Sequence, residues 1–304
     1  MVSKLFPEVS GNSEYDSKIK KLFKKFSNGD DYISTSDFLY MWDNWIKKVL
    51  WPKSAFIIVD VQNDFISGSL SLSNTPAHQD GADVVPVINS LIETGVPFTT
   101  IVYTQDWHPD NHISFVENVK LRKVIQFNDN AIMDESELDN IKTFDTVVFE
   151  GPPETKQRLW PRHCVQNTEG AALHPDLIVA PDSLTIYKGT KENIDSYSAF
   201  FDNGKLSETA LNSELKSRGI TDVYVCGLAY DVCVQATAMH ANELGYRTIV
   251  IDDASRGVDL DDIMKAKEAL EEKNCAIVQS NEVDGMVKAI DRRFVLGYFL
   301  GLIA

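Results

Sequence analysis

The stretch Asp222-Val-Tyr-Val-Cys-Gly-Leu-Ala-Tyr-Asp-Val-Cys-Val-Gln-Ala-Thr-Ala-Met239 decides the fold class. Residues 222–226 form an apolar, β-rich run, and continuous apolar strands are typical of a sheet that is covered on both faces. Gly227 marks a tight turn, and a helix is predicted to start near Val232. A buried strand that leads directly into a helix is the repeating unit of a parallel α/β sheet.

The same unit recurs on both sides of this stretch. Further apolar runs, each predicted to be a strand, occupy residues 55–59, 98–103, 247–251 and 275–279, and amphipathic segments lie near 82–94, 206–218, 234–244 and 260–273. This alternation predicts a doubly wound, Rossmann-like parallel sheet flanked by helices, which we assign to residues 53–304. In such sheets, ligands bind at the carboxyl ends of the strands, where the strand order switches.

Residues 1–52 have a different pattern. Ser17–Phe26 is a basic amphipathic helix, an acidic loop follows it, and Leu39–Leu50 is a tryptophan-rich helix, an order that resembles an EF-hand. A calcium loop needs a glycine at its sixth position and a bidentate glutamate at its end. Asp31 lies where the glycine belongs, Asp37 stands in for the glutamate, and the loop is one residue short. We therefore expect a degenerate EF-hand-like helical segment without calcium, and a calcium-responsive interaction protein is the non-enzymatic alternative.

Composition excludes several classes of partner. The net charge of −16 argues against nucleic acid and against an anionic membrane surface, because both attract basic proteins. No apolar run reaches the ~18 residues that a membrane-spanning helix needs. The apolar tail Phe294–Ala304 is therefore expected to pack on the core or on a second copy of the chain, as a homo-oligomer.

The four cysteines do not predict disulfides. They are Cys164, Cys226, Cys233 and Cys275, none of them in a C-x-x-C pair, and no signal sequence opens the chain. We expect reduced thiols and an intracellular location, cytoplasmic or nuclear.

Cys233 differs from the other cysteines by its position. It falls in the first turn of the predicted helix, where free backbone N–H groups and the helix dipole favour a thiolate. The same N–H groups can hold a developing oxyanion. Cys226 and Cys275 lie within apolar strands and fit the role of small buried residues.

Two groups of polar residues follow strands. Asp60 comes directly after the first apolar run, where a carboxylate either serves chemistry or caps the following turn. Asp106 and His108 are two residues apart after the second run, so both can face one cation, and His163 would supply a third ligand. One carboxylate with imidazoles suits zinc, iron or manganese.

Together these residues belong to segments that resemble the nicotinamidase branch of the isochorismatase-like cysteine hydrolases. The resemblance covers about residues 54–260, and the animal-type members with an EF-hand-like leader are the most similar. The matching segments are Val59-Asp-Val-Gln-Asn-Asp-Phe65, Asp106-Trp-His-Pro-Asp-Asn-His-Ile-Ser-Phe115, Leu159-Trp-Pro-Arg-His-Cys164, Lys188-Gly189 with Tyr197-Ser-Ala-Phe200, and the turn before Cys233.

The resemblance implies a set of roles for individual residues. The catalytic triad would be Asp60, Lys188 and Cys233, and the ligands of one divalent metal, most simply zinc, would be Asp106, His108 and His163. The ring pocket would consist of Phe65, Trp160 and Tyr197, and the oxyanion hole of the backbone N–H groups of Ala229 and Cys233, with a cis peptide at Leu228–Ala229. His112 is a metal ligand in some relatives and a supporting group in others. Without the resemblance, Lys188 would be taken for a solvated strand end.

The implied reaction is the hydrolysis of nicotinamide to nicotinate and ammonia through a Cys233 thioester, as part of NAD salvage. Asp60 would accept the thiol proton, which requires a pKa raised by burial. The alternative is an amidase of the same superfamily that acts on N-carbamoyl or ureido compounds, although such relatives generally lack the D-x-H metal motif. Isochorismatases proper lack a cysteine at the position of Cys233, and no G-x-G-x-x-G follows Asp60, which disfavours a dinucleotide-binding dehydrogenase.

Overall fold

The computed structural model describes residues 1–127, 130–131 and 135–304. The strands are β1 (Ser54–Val59), β2 (Thr100–Asp106), β3 (Val124–Phe127), β4 (Asn130–Ala131), β5 (Thr146–Phe149), β6 (Thr155–Arg158), β7 (Leu184–Lys188), β8 (Asp222–Leu228), β9 (Arg247–Arg256) and β10 (Ala276–Val278). The α-helices are α1 (Val2–Leu5), α2 (Asp16–Phe26), α3 (Thr35–Met41), α4 (Lys47–Leu50), α5 (Asn63–Ile66), α6 (Val84–Glu93), α7 (Leu211–Ser217), α8 (Gln235–Glu243), α9 (Leu260–Glu272), α10 (Ser280–Val287) and α11 (Phe294–Ile303). Two π-helical turns, Trp42–Ile46 and Tyr230–Val234, lead into α4 and α8.

Six strands form the parallel sheet that the sequence predicts, in the order β10-β9-β8-β1-β2-β7. Alternate side chains of β1 enter opposite layers, so Phe56 packs in one hydrophobic cluster and Ile57 in the other. Because both faces are covered, the strand is apolar at every position from Ala55 to Val59, and the predicted fold class is confirmed. The carboxyl ends of the adjacent strands β8, β1, β2 and β7 meet at one edge of the sheet.

The second strand differs from its predicted bounds. It begins at Thr100 instead of residue 98 and extends to Asp106, which the sequence placed on the following loop. Two contacts extend it: Asp106 pairs with Lys188 of β7, and its N–H donates to Gln62 Oε1 over 2.8 Å. The hydrophobic pattern of the sequence does not predict either contact.

A second, antiparallel sheet lies in the segment that interrupts the α/β pattern. Its order is β4-β3-β5-β6, and β5 is the short apolar sequence Thr146-Val-Val-Phe149. Its own small core includes Val147 and Phe149. Strand β6 leads directly into Leu159 and Trp160, so this sheet adjoins the predicted ring pocket.

The N-terminal helices and the C-terminal helix share one hydrophobic cluster. Trp45 Nε1 donates to the Gly297 carbonyl of α11 over 2.7 Å, and Phe6 packs edge-on against Phe294. The apolar tail is thus buried, chiefly against residues 1–50. Asp37, which stands in for the calcium-binding glutamate, instead forms a capping box with Ser34 at the start of α3. No helix among the described residues is long and apolar enough to cross a membrane.

Candidate active site

Four adjacent strands each place one chemically important side chain at the same edge of the sheet. Asp60 follows β1, Asp106 ends β2, Lys188 ends β7, and Cys233 lies in the π-helical turn after β8. All four residues are buried. The strand order therefore brings together residues that are up to 173 positions apart in the sequence.

Lys188 lies between two carboxylates. Its Nζ is 2.8 Å from Asp60 Oδ2 and 2.5 Å from Asp106 Oδ1, and it also donates to the Ser196 carbonyl over 3.0 Å. Burial alone would lower the pKa of Lys188, but Asp106 and Asp60 outweigh it and hold this pKa well above the usual value. The lysine is therefore a fixed cation inside the protein, and not a solvated strand end.

Asp60 adopts a left-handed backbone conformation, with φ of 50°. Thr104 holds it there: the Asp60 N–H donates to Thr104 Oγ1 over 3.2 Å, and the threonine hydroxyl donates to Asp60 Oδ1 over 2.5 Å. Burial raises the pKa of Asp60 to about 6, against the opposing effect of Lys188. The carboxyl is thus poised to exchange a proton near neutral pH, as expected from the sequence.

Strand β8 approaches β1 so closely that one position must be glycine. Gly227 has φ of 118°, and a Cβ there would lie 2.1 Å from the Val59 carbonyl oxygen. Because of this close approach, the residues that follow Gly227, including Cys233, lie beside Asp60, which follows Val59. The Leu228–Ala229 peptide is cis, as predicted.

The Cys233 thiol contacts Lys188 and lies close to Asp60, the two other members of the predicted triad. Its Sγ is 3.3 Å from Lys188 Nζ, and it lies within 4.8 Å of a carboxylate oxygen of Asp60. Burial raises the pKa of Cys233 well above its usual value, more strongly than Lys188 lowers it. The resting residue is therefore a thiol, whereas helix position alone favoured a thiolate, and attack requires a base. Among the described residues, the backbone N–H groups of Ala229 and Cys233 make no loop or turn hydrogen bond.

The predicted metal ligands also come together. His108 Nδ1 lies 2.8 Å from the Gly189 carbonyl oxygen, and His163 Nδ1 lies 2.7 Å from that of Pro161. These hydrogen bonds assign a proton to Nδ1 in each ring, so Nε2 is the atom of each ring that can bind a cation once it is deprotonated. The Nε2 atoms lie 3.6 Å and 3.8 Å from Asp106 Oδ2, respectively.

This donor set fits a divalent cation. Asp106, His108 and His163 each offer a ligand atom within 4.8 Å of the others, and all three are buried. Burial, followed by the effect of His108, lowers the pKa of His163 to about 4, so this ligand is neutral at pH 7. Burial would raise the pKa of Asp106, but Lys188 reverses the shift, and the carboxylate is ionised. One carboxylate and two imidazoles leave room for water or substrate on the cation.

His112 lies behind His108 and belongs to a second polar group. The two imidazoles stack with centroids 3.9 Å apart, and His112 Nδ1 is 2.7 Å from Ser114 Oγ. Its Nε2 is buried and lies 4.0 Å from Asp195 Oδ1. His108, His112 and Asp195 have ligand atoms within 4.8 Å of one another. The position of His112 thus suits a supporting group for His108.

A cavity opens onto Cys233. The three predicted ring contacts, Phe65, Trp160 and Tyr197, line it together with Asp106 and His163. Aliphatic side chains complete the wall: Leu70, Leu72, Val232 and Val258. The cavity therefore suits a flat, largely apolar ring with a polar group directed at the thiol.

Three residues of the site were not predicted from the sequence. Thr104 holds Asp60, Gln62 fixes both backbone groups of Asp106, and Asp195 lines the cavity. Gln62 lies only two residues after Asp60, so its place in the sequence could have indicated a role in the site. Thr104 and Asp195 become recognisable only once strand pairing and loop folding are known.

Comparison with known proteins agrees with this geometry. The isochorismatase domain model matches residues 54–283. The nicotinamidase of Acinetobacter baylyi is 43% identical over 208 residues, which are 68% of this chain and 82% of that protein. The nicotinamidase of Saccharomyces cerevisiae is 34% identical over 235 residues, 73% of this chain and 97% of that protein.

Solved structures place the chain in the same group. The yeast nicotinamidase Pnc1p bound to the inhibitor nicotinaldehyde has a TM-score of 0.61 and 31% identity, and covers 74% of this chain and 99% of its own. The pyrazinamidase of Pyrococcus horikoshii in complex with zinc has a TM-score of 0.53 and 30% identity, and covers 75% of this chain and 99% of its own. The chain therefore belongs to the isochorismatase family, and the relatives that are 34% and 43% identical to it over most of its length are nicotinamidases.

Proposed function

We propose that this protein hydrolyses nicotinamide to nicotinate and ammonia, a step of NAD salvage, through a thioester on Cys233. The observation that carries the proposal is the position of the Cys233 thiol, which lines an aromatic cavity, lies 3.3 Å from Lys188 Nζ and is within 4.8 Å of an Asp60 carboxylate oxygen. The relatives support the same substrate, since solved structures of the yeast and Leishmania infantum proteins contain nicotinaldehyde and nicotinate.

In the first half-reaction, Asp60 removes the Cys233 proton and the sulfur attacks the amide carbonyl carbon. A C–S bond forms, and the carbonyl electron pair moves onto oxygen, where the N–H groups of Ala229 and Cys233 would stabilise it. When the electron pair returns, the C–N bond breaks, and the proton held by Asp60 passes to the leaving nitrogen as ammonia departs. A thioester remains on Cys233.

In the second half-reaction, water replaces the amine. Asp60 removes a proton from the water as its oxygen attacks the thioester carbonyl, and the C–S bond then breaks. The thiolate recovers its proton from Asp60, and the carboxylic acid leaves and loses its proton to the released ammonia. Nicotinamide and water thus give nicotinate and ammonium with the enzyme unchanged.

Lys188 acts as a fixed positive charge in both half-reactions. It contacts Asp60 and Cys233 at once, over 2.8 Å and 3.3 Å. In this mechanism Lys188 stabilises whichever of Asp60 and Cys233 carries the negative charge, and it keeps the distance between these two groups fixed.

The pocket and the metal site would orient the substrate. Phe65, Trp160 and Tyr197 would contact the pyridine ring, and Asp106, His108 and His163 would bind a divalent cation, which we propose to be zinc, with iron or manganese as alternatives. Such a cation would supply a positive charge that directs the ring nitrogen, with the carboxamide placed over Cys233.

The test is ammonia release from nicotinamide by the purified protein. Cys233→Ala should reduce release to background while the protein still binds zinc, and Cys275→Ala, at a buried cysteine outside the site, should keep normal activity. Treatment with a chelator should also reduce the rate, and added zinc should restore it. Release that persists at a near-normal rate in Cys233→Ala would contradict the assigned nucleophile. A folded, zinc-loaded protein without release would contradict the substrate.

A further inference from the structure

The small antiparallel sheet delivers one cation to the wall of the cavity. Arg158 is the last residue of β6 and pairs with Thr146 of β5. Its guanidinium carbon lies 4.8 Å from the centre of the Trp160 indole and 5.5 Å from the centre of the Phe144 ring. Arg158 itself does not line the cavity, whereas Trp160 does.

The backbone of Trp160 is fixed independently of this contact. Its N–H donates to the Ser114 carbonyl over 2.8 Å, and its carbonyl accepts from the Val116 N–H over 2.9 Å. The indole ring is buried in a hydrophobic cluster, and the directional contacts that orient it within this cluster are weak. Its Nε1 donates to Tyr197 Oη over 3.4 Å, which is long for a hydrogen bond. The Phe144 ring is nearly perpendicular to the indole, and the two ring centroids are 5.7 Å apart.

The charge of Arg158 is directed at these rings. Among the described residues, no carboxylate forms an ion pair with its guanidinium. A guanidinium over an indole face is the most favourable form of the cation–π contact, and partial burial strengthens it. Arg158 thus covers one side of the indole from outside the cavity, while the ring serves as cavity wall on another side.

We propose that Arg158 is a positioning residue that holds the Trp160 ring in the orientation that receives the aromatic substrate. An indole released from this contact would occupy several rotamers, and the substrate would have to order it on binding. The inference rests on the proposed function for its substrate. Because Arg158 contacts neither Cys233 nor Asp60, its loss should weaken binding of the ring and leave the chemical step unchanged.

The kinetic test compares variants of Arg158 in the zinc-loaded protein. Arg158→Ala should raise KM for nicotinamide about three- to tenfold, the range expected for a partly buried cation–π contact, with kcat within about twofold of normal. Arg158→Lys keeps the cation and should recover most of the loss, whereas Arg158→Met keeps only the aliphatic stem and should resemble alanine. Arg218→Ala, which removes an arginine paired with Glu214 on the surface of α7, should leave KM unchanged.

Three results would overturn the proposal. An unchanged KM in Arg158→Ala would show that the contact does not affect binding. A recovery by methionine equal to that by lysine would assign the effect to packing alone. A fall in kcat with KM unchanged would place Arg158 in the chemical step.

A second readout does not depend on activity. In protein labelled with 5-fluorotryptophan, the ¹⁹F resonance of Trp160 can be assigned by its absence in Trp160→Phe. The proposal expects this resonance to shift or broaden in Arg158→Ala and to return in Arg158→Lys; an unchanged resonance would refute it. If the wild-type protein released no ammonia, the proposed substrate would fail, and the resonance alone would decide the role of Arg158.

Discussion

Replacement of Lys188 by methionine is the most direct test of the buried charge arrangement. The substitution keeps a similar volume but removes the cation between Asp60 and Asp106, both of which are buried. In the metal-free protein Asp106 keeps His108 and His163 as neighbours, whereas Asp60 has no other cation beside it among the described residues. Breaking a buried ion pair by removing one partner typically costs about 3–5 kcal/mol.

Proton uptake limits this loss and makes it depend on pH. Without Lys188, the pKa of Asp60 should rise above the value of about 6 that burial already gives it. Since one pKa unit corresponds to about 1.36 kcal/mol, holding a carboxyl of ordinary pKa protonated costs about 4 kcal/mol at pH 7 and about 2 kcal/mol at pH 5.5. A raised folded-state pKa gives stability that is present at low pH and is lost as pH rises. The difference from wild type should therefore shrink by roughly 1–2 kcal/mol between pH 7 and pH 5.5.

Urea denaturation of chelator-treated protein at both pH values measures this difference. Lys188→Met combined with Asp60→Asn removes one of the two carboxylate charges and should recover about half of the loss at pH 7. Lys265→Met, at an exposed surface pair with Asp262, should leave the transition unchanged. A loss below about 1 kcal/mol, or one that does not decrease with acidity, would refute the reasoning.

Three further predictions concern proton transfer, the metal site and the junction between the chain ends. Since Asp60 must be ionised to act as base and burial raises its pKa to about 6, kcat/KM should fall about tenfold per pH unit below pH 6, and Asp60→Asn should abolish turnover at every pH from 5 to 8. Gly189→Ala, at φ of 61°, would place a Cβ 2.3 Å from the His108 ring and should weaken zinc binding about 10–100-fold in a chelator competition titration. Gly301→Ala would place a Cβ 2.7 Å from Leu22 and should lower the thermal midpoint without changing KM, as a melting curve and an activity assay would show.

The sequence predicted the parts of the fold that have strong periodicity. Strands β1, β8 and β9 and the helices after them follow from continuous apolar runs and amphipathic segments, since a sheet covered on both faces requires these patterns. Strand β7 was not predicted as part of the sheet. It is an edge strand with alternating burial, in which Tyr187 is half exposed and Lys188 fully buried, so it lacks the continuous apolar run by which the other strands were predicted.

The candidate site was predictable only as a set of segments. Asp60, Lys188 and Cys233 come from three strands, and no pattern within the sequence states that β7 and β8 lie on opposite sides of β1 and β2. The resemblance to a family supplied that information. The contacts that support the site were not predicted, because they depend on the register of paired strands. Examples are the hydrogen bond from the Thr104 hydroxyl to Asp60 and the Arg158 guanidinium over the outer side of the Trp160 ring.

The burial of the site explains why the nucleophile needs its neighbours. Burial raises the pKa values of both Asp60 and Cys233, so ionisation of the thiol with release of its proton to water would be unfavourable at pH 7. Transfer of that proton to Asp60 is different, because the number of buried charges does not change. The negative charge only moves from one atom 2.8 Å from Lys188 Nζ to another 3.3 Å from it. A single fixed cation can therefore stabilise both states, which makes the internal transfer far easier than ionisation to solvent and confines thiolate formation to the protein interior.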